Sequence, residues 1–268
     1  MSEARHVVVS GPFDDIRSRE LRFLEEASRL GRLTVLLWPD DSALRIAGRA
    51  PKFPLAERRY LLDAVRYVDK VVIADAAVEL PESVQADIWC DYPPTASPHR
   101  ANYCQKRDIA YRPFSSEELS TFPAPPDLTS SDRRKVVVTG CYDWFHSGHV
   151  RFFEEVSQYG DLTVILGHDE NIRHLKGEGH PLLQQDERRY VVGSIKYVTN
   201  TLIASGNGWL DADPEIQRLK PAIYAVNEDG DRGGKREYCR ANGIEYVVLS
   251  RVPSPGLPRR SSTDLRGF

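Results

Sequence analysis

Two histidines three residues apart, His146 and His149, flank Ser147 and Gly148 in the run Thr139-Gly140-Cys141-Tyr142-Asp143-Trp144-Phe145-His146-Ser147-Gly148-His149. At the start of a helix this spacing puts both rings on one side of the first turn, where imidazole N–H groups, free backbone N–H groups and the positive end of the helix dipole all suit an anion. Gly140 and Gly148 permit close backbone approach to it. In isolation such a pair would cap the helix or hold a metal. It is accompanied by Lys176 in Leu175-Lys176-Gly177, Arg188 in Asp186-Glu187-Arg188-Arg189-Tyr190, and Arg259-Arg260-Ser261-Ser262-Thr263, where basic residues and three hydroxyls precede a possible last helix. Read singly, these are a solvated lysine, a surface arginine and an N-cap. Read together, two imidazoles, cations and hydroxyls make a clamp for a polyphosphate.

These groups need elements that bring them to one place. Val136-Val137-Val138 reads as a buried strand, and the apolar residues Val150, Phe152, Phe153 and Val156 as one face of a helix. A second strand is expected over Leu162–Leu166. A helix from Arg188 to Tyr197, a strand from Ala222 to Val226, a helix from Gly234 to Ala241 and a strand from Glu245 to Leu249 follow. The alternation implies an α/β fold with a mostly parallel sheet flanked by helices, whose ligand sits at the carboxyl ends of the strands. Lys176 is expected in a polar loop on that side.

The pattern occurs twice. A shift of 129 positions superposes Val7–Trp38 on Val136–Gly167 with 16 of 32 residues identical, and Glu57-Arg58-Arg59-Tyr60 matches Glu187–Tyr190 at a shift of 130. A period this long indicates a duplicated globular domain rather than a solenoid. The expected organisation is a first domain over 1–120, a Pro/Ser-rich linker over 121–133 and a second domain over 134–268. In the first copy, Arg17-Ser18-Arg19-Glu20 replaces the two histidines and their glycine, and Ala47 stands at the lysine position. Glu20 would repel phosphate, so that copy is expected to be catalytically inert and retained for packing.

The second copy resembles the HIGH-motif nucleotidylyltransferase superfamily through His146-Ser147-Gly148-His149. The residues around that motif, Leu175-Lys176-Gly177, the Glu187-Arg188-Arg189-Tyr190 helix and Ser261-Ser262-Thr263 are similar to the ordered motifs of phospho-alcohol cytidylyltransferases such as the ethanolamine-phosphate and glycerol-phosphate enzymes. The resemblance implies two tandem Rossmann-like nucleotidylyltransferase domains. It also implies transfer of CMP from CTP, carried with Mg²⁺, to a phosphorylated small molecule, with His146, His149, Lys176 and Arg188 catalytic. Thr139, Gly140, Cys141, Tyr142, Asp143, Gly148, Asp169, Asn227, Asp229, Arg260, Ser261, Ser262 and Thr263 would contact the nucleotide; Asp143 would order its loop rather than move a proton. No protein-bound metal is implied beyond the magnesium on the triphosphate. The motif departs from the family pattern in Pro253–Pro258, and the loop Asn227–Lys235 lacks the usual Asp-Trp pair. Adenylyl transfer to a sugar phosphate or cofactor precursor stays open, as does an inert nucleotide-binding regulator.

A net charge of -3 argues against nucleic acid as partner, and no apolar run approaches the roughly 20 residues a membrane span needs. Cys90, Cys104, Cys141 and Cys239 are scattered as isolated thiols. A cytoplasmic protein is expected, acting as an internal pseudo-dimer or a homodimer, since relatives commonly pair.

Overall fold

Residues alternating across a strand face opposite sides of its sheet, so three successive valines that are all buried require cover on both faces. Val136, Val137 and Val138 meet that condition, as do Val7, Val8 and Val9. The computed structural model describes residues 4–75, 77–93, 96–262 and 265 and divides into two compact units, Met1–Phe122 and Pro123–Phe268.

The first unit runs β1 (His6–Gly11), α1 (Ser18–Ser28), β2 (Arg32–Leu37), α2 (Asp40–Ala47), α3 (Leu55–Asp63), β3 (Lys70–Ile73), β4 (Ile88–Asp91), α4 (Pro98–Lys106) and β5 (Ala110–Pro113). Its strands are all parallel, in the order β3-β2-β1-β4-β5. The second unit runs β6 (Lys135–Gly140), α5 (Ser147–Ser157), β7 (Asp161–Leu166), α6 (Asp169–Lys176), α7 (Gln185–Gly193), β8 (Asn200–Ile203), α8 (Asp213–Leu219), β9 (Ile223–Asn227), α9 (Lys235–Ala241) and β10 (Glu245–Leu249). Its order, β10-β9-β6-β7-β8, is the same arrangement, again wholly parallel. Each unit is thus a Rossmann-like α/β domain in which the strand order reverses beside the first strand.

In the second unit one face of the sheet is closed by α8 and α9, whose Ile216 and Cys239 pack on Val137, Ile165, Tyr224 and Val226. Val150, Phe153 and Val156 of α5 are completely buried. Removing any such side chain from water contributes about 1.5–3 kcal/mol. Among the described residues no helix is long and apolar enough to cross a membrane.

Three local expectations change. Arg173–Lys176 is the last turn of α6 rather than loop, because the helix continues until Gly177 breaks it at φ 88°. The helix expected over Arg188–Tyr197 starts at Gln185 and stops at Gly193, after which the Ser194 hydroxyl donates to the Tyr190 carbonyl at 2.9 Å. Pro123–Arg133 has no helix or strand, yet it is tied to the second unit. Thr129 exchanges hydrogen bonds with Asn200, and Ser131 donates its N–H and hydroxyl to Asp161.

The turn into the second strand of each unit depends on a glycine. A Cβ on Gly160 would lie 2.0 Å from the Arg134 carbonyl oxygen, and one on Gly31 would lie 2.2 Å from that of Arg5. Each carbonyl accepts the N–H of the next residue, Asp161 or Arg32, at 2.8 Å. Gly160→Ala and Gly31→Ala should each destabilise their unit by about 1–3 kcal/mol through overpacking, read as lowered urea midpoints with little change in far-ultraviolet dichroism.

Candidate active site

The strand β6 ends at Gly140, and the chain turns through Cys141–Phe145 before α5. Tyr142 takes φ 53°, in the left-handed region, and its counterpart in the first unit, Phe13, takes φ 43°. What holds these turns is an aspartate. Asp143 accepts the backbone N–H groups of Leu182 and Leu183 at 2.8 and 2.9 Å, and its other oxygen lies 3.8 Å from His180 Nδ1. Asp14 accepts those of Lys52 and Phe53 at the same two distances. Asp143 therefore faces the cleft as a residue that orders the loop.

His146 is the N-cap of α5, and its Nδ1 accepts the Gly148 N–H at 3.0 Å. Nδ1 being the acceptor, Nε2 carries the proton of the neutral ring and is its donor. A Cβ on Gly148 would fall 2.9 Å from that imidazole, so the residue between the histidines must be glycine for the cap to form. The His149 ring stacks on it with centroids 3.9 Å apart. Tyr142 meets His149 edge-on at 5.2 Å and Phe145 lies roughly parallel to it at 5.4 Å. Burial holds the His149 pKa well below the usual histidine range, and His146, Arg251 and Lys176 add to the shift. Its Nδ1 is buried and has no hydrogen-bond partner among the described residues. A neutral, stacked pair of donors thus faces a cleft with a cationic rim.

That cleft, with about 230 Å³ of space, is lined by twelve of the residues expected from sequence: Thr139, Gly140, Cys141, Tyr142, Asp143, His146, Gly148, His149, Lys176, Asn227, Asp229 and Ser262. Arg260 lines an adjoining cleft of only about 20 Å³, too narrow as it stands for a phosphate chain. Two hydrogen bonds tie the C-terminal segment to the site. Arg251 Nη2 donates to the Arg260 carbonyl at 2.7 Å, and the Ser262 hydroxyl to the Trp144 carbonyl at 3.2 Å. Ser261 lines neither cleft; its carbonyl accepts the Leu265 N–H at 3.3 Å. Thr263 lies outside the described residues.

Arg188 and Asp169, also expected at the site from the sequence, line neither of these two clefts. Arg188 is completely buried. It donates from Nε to the Leu183 carbonyl at 3.0 Å, from Nη1 to Cys141 at 2.7 Å, and from Nη2 to Gly167 at 2.9 Å and Asp169 at 2.7 Å. Asp169 also exchanges two 3.1 Å bonds with Gln185, joining the starts of α6 and α7. In the first unit Arg58 bonds the matching four groups: the carbonyls of Phe53, Pro12 and Trp38 and the Asp40 carboxylate. An interaction kept where the histidines are absent belongs to the framework.

Residues 137–267 match the family described as cytidylyltransferase-like. The FAD synthase of Ferroglobus placidus is 34% identical over 119 residues, spanning 43% of this chain and 74% of that protein. The chain belongs to the cytidylyltransferase-like family. The FAD synthase of Pyrococcus horikoshii is 39% identical over 104 residues, 38% of this chain and 68% of its own length. The bifunctional protein HldE of Geobacter sulfurreducens is 33% identical over 136 residues, covering 50% of this chain but 26% of HldE.

Among the further residues that line this cytidylyltransferase-like site are two cations that the sequence did not single out, Lys235 and Arg251. Arg251 pairs with Asp229 and, through Arg260, holds the C-terminal segment. Both follow strands of the sheet at the carboxyl end, which is the one sequence signal that could have found them. In the first unit the matching positions carry charges that pair with one another. Asp15 pairs with Arg17 and Lys52, each at 2.9 Å, and Glu20 accepts the Arg17 N–H and the Tyr92 hydroxyl. Beside them the guanidinium of Arg100 pairs with buried Asp91 and lies 4.9 Å over the Trp89 ring.

Arg188→Met should leave three carbonyls, that of Gly167 buried, short of a donor and destabilise the second unit by about 2–4 kcal/mol, measured by urea denaturation, and Arg58→Met should do the same in the first. A second outcome concerns pH. Because His149 binds its proton less readily folded than unfolded, the unfolded chain protonates first as pH drops below about 6.5. Wild type should lose stability between pH 7 and 5 by up to ~1.4 kcal/mol per pH unit more than His149→Gln does, and parallel urea midpoints for the two would contradict a depressed His149.

Proposed function

We propose that the second unit transfers a nucleoside monophosphate from a nucleoside triphosphate to the phosphate of a small acceptor, releasing pyrophosphate, and that the first unit is an inert copy. The observation that carries this reading is the neutral stacked histidine pair at the start of α5, facing a cleft rimmed by Lys176, Lys235 and Arg251. An acceptor phosphate oxygen attacks the α-phosphorus; that P–O bond forms as the bond to the β-phosphate oxygen breaks, and pyrophosphate leaves. The nucleophile is already an anion, so no base is required. The protein's contribution is to align the two phosphates and to stabilise charge on the equatorial and leaving oxygens. His146 Nε2–H and His149 serve the second purpose; Lys176, at the end of α6, serves the first.

Magnesium, entering on the triphosphate, would neutralise part of its charge. Among the described residues there is no cluster of carboxylate, histidine or cysteine ligands for a separate ion. The cleft carboxylates Asp143 and Asp229 are engaged by backbone N–H groups and by Arg251, a donor set that suits a metal held mainly by phosphate oxygens.

For the nucleotide, adenylyl transfer is the first reading. It is supported by the similarity to two FAD synthases, whose product is an AMP unit joined to a flavin phosphate. Cytidylyl transfer, favoured by the motifs around His146, is the second. In the first unit, Glu20 at the position of His149 and the ion pairs of Asp15 support the inert assignment.

Pyrophosphate release should be measured with ATP, CTP, GTP and UTP, with Mg²⁺ and a panel of phosphate monoesters that includes riboflavin phosphate, sugar phosphates and phospho-alcohols. One triphosphate should stand out, and His149→Ala or Lys176→Ala should lower kcat by about 10²–10³-fold. Turnover with CTP alone would reverse the choice of nucleotide. Binding without turnover by any pair would sink the transferase reading.

A further inference from the structure

Lys235 opens α9 beyond β9, on the side of β6 opposite to β7 and Lys176. It is half-buried, and its ammonium donates to the Gly230 carbonyl at 2.9 Å. The carboxylates nearest to it in charge, Asp231, Asp211 and Asp229, have other partners, Asp211 accepting the Asn171 amide N–H at 2.9 Å. Asp231 is bonded by Arg236 at 2.8 Å and by the Tyr246 hydroxyl at 3.0 Å, while Asp229 pairs with Arg251. Burial pushes the lysine's pKa down, so the protein holds this cation on the cleft wall at a cost.

The loop presenting it is also held in place. Gly233 sits at φ 65°, and a Cβ on Gly234 would lie 3.2 Å from the Trp209 ring, so the backbone rests against the indole. A lysine on a free surface needs neither partial burial nor such a support.

The His146–His149 pair, the start of α5 and Lys176 lie together after β6 and β7 and account for the two reacting phosphates. Lys235 reaches the same cleft from β9 with two ammonium donors beyond the one given to Gly230. We propose that Lys235 binds an anionic group of the acceptor other than the attacking phosphate, so that the acceptors are phosphate monoesters carrying a second negative charge, a carboxylate or another phosphate. This deepens the nucleotidyl-transfer reading and rests on it.

The test is calorimetric titration of the full chain with Mg²⁺ and α,β-methylene-ATP or its CTP equivalent, followed by matched probes: glycerol 3-phosphate against 3-phosphoglycerate, and fructose 6-phosphate against fructose 1,6-bisphosphate. In at least one pair the doubly anionic member should bind tenfold or more tightly. The pair that shows it tells carboxylate from phosphate. Lys235→Met should erase that preference, Lys235→Arg should keep most of it, and Lys176→Met should weaken both members alike. The proposal fails if neither pair shows a preference, if the preference survives Lys235→Met, or if that variant binds the nucleotide analogue tenfold more weakly, which would put Lys235 on the triphosphate. Wild type that binds neither analogue would instead overturn the nucleotidyl-transfer reading itself.

Discussion

A buried guanidinium fixes the geometry on which everything else in each unit depends. Arg188 gathers the carbonyls that follow two neighbouring strands, the carbonyl before α7 and the first carboxylate of α6. These are four segments that would otherwise end at the top of the sheet with unsatisfied acceptors. Because a guanidinium is planar and its donors diverge at fixed angles, one side chain sets the mutual positions of all four. The turn that carries His146 and the helix that carries Lys176 are therefore placed by the same group, which does not itself line the cleft but bonds the carbonyl of Cys141, a residue that does.

On that frame a cationic rim surrounds uncharged rings. Two imidazoles with centroids 3.9 Å apart resist being charged together, and burial reinforces the neutral state of His149. Neutral rings still donate hydrogen bonds, and they leave the net positive charge to side chains that can follow the substrate. Arg251 acts differently from the lysines. Already paired with Asp229, it connects the loop after β9 to the C-terminal segment, which Arg259 also approaches through Glu228 at 3.7 Å.

Much of this could be read from residues alone. The duplication was visible because 16 of 32 aligned residues coincide, and the strand-helix alternation followed from apolar period. The His146–His149 site was visible because its parts are contiguous. The burial of Arg188 was not legible, because its motif position says nothing about burial; the same four letters, Glu-Arg-Arg-Tyr, in the first unit, where both histidines are absent, were the available pointer to a framework role. Lys235 and Arg251 did not stand out because each is an ordinary cation by type; Lys235 opens α9 after β9 and Arg251 follows β10, and the parallel pairing of β10 with β9 and of β9 with β6 brings both to the cleft. The end of α6 was hidden by Leu175-Lys176-Gly177, which reads as loop by composition although helix continues up to the glycine.

The matching networks of Arg58 and Arg188 separate two roles within one sequence signature. The first unit has the arginine and its four acceptors but neither histidine, nor the intervening glycine, nor the lysine, and it forms the same five-stranded parallel sheet. The scaffold therefore does not require the residues that line the cleft. What the two units share marks the part of the signature that concerns architecture.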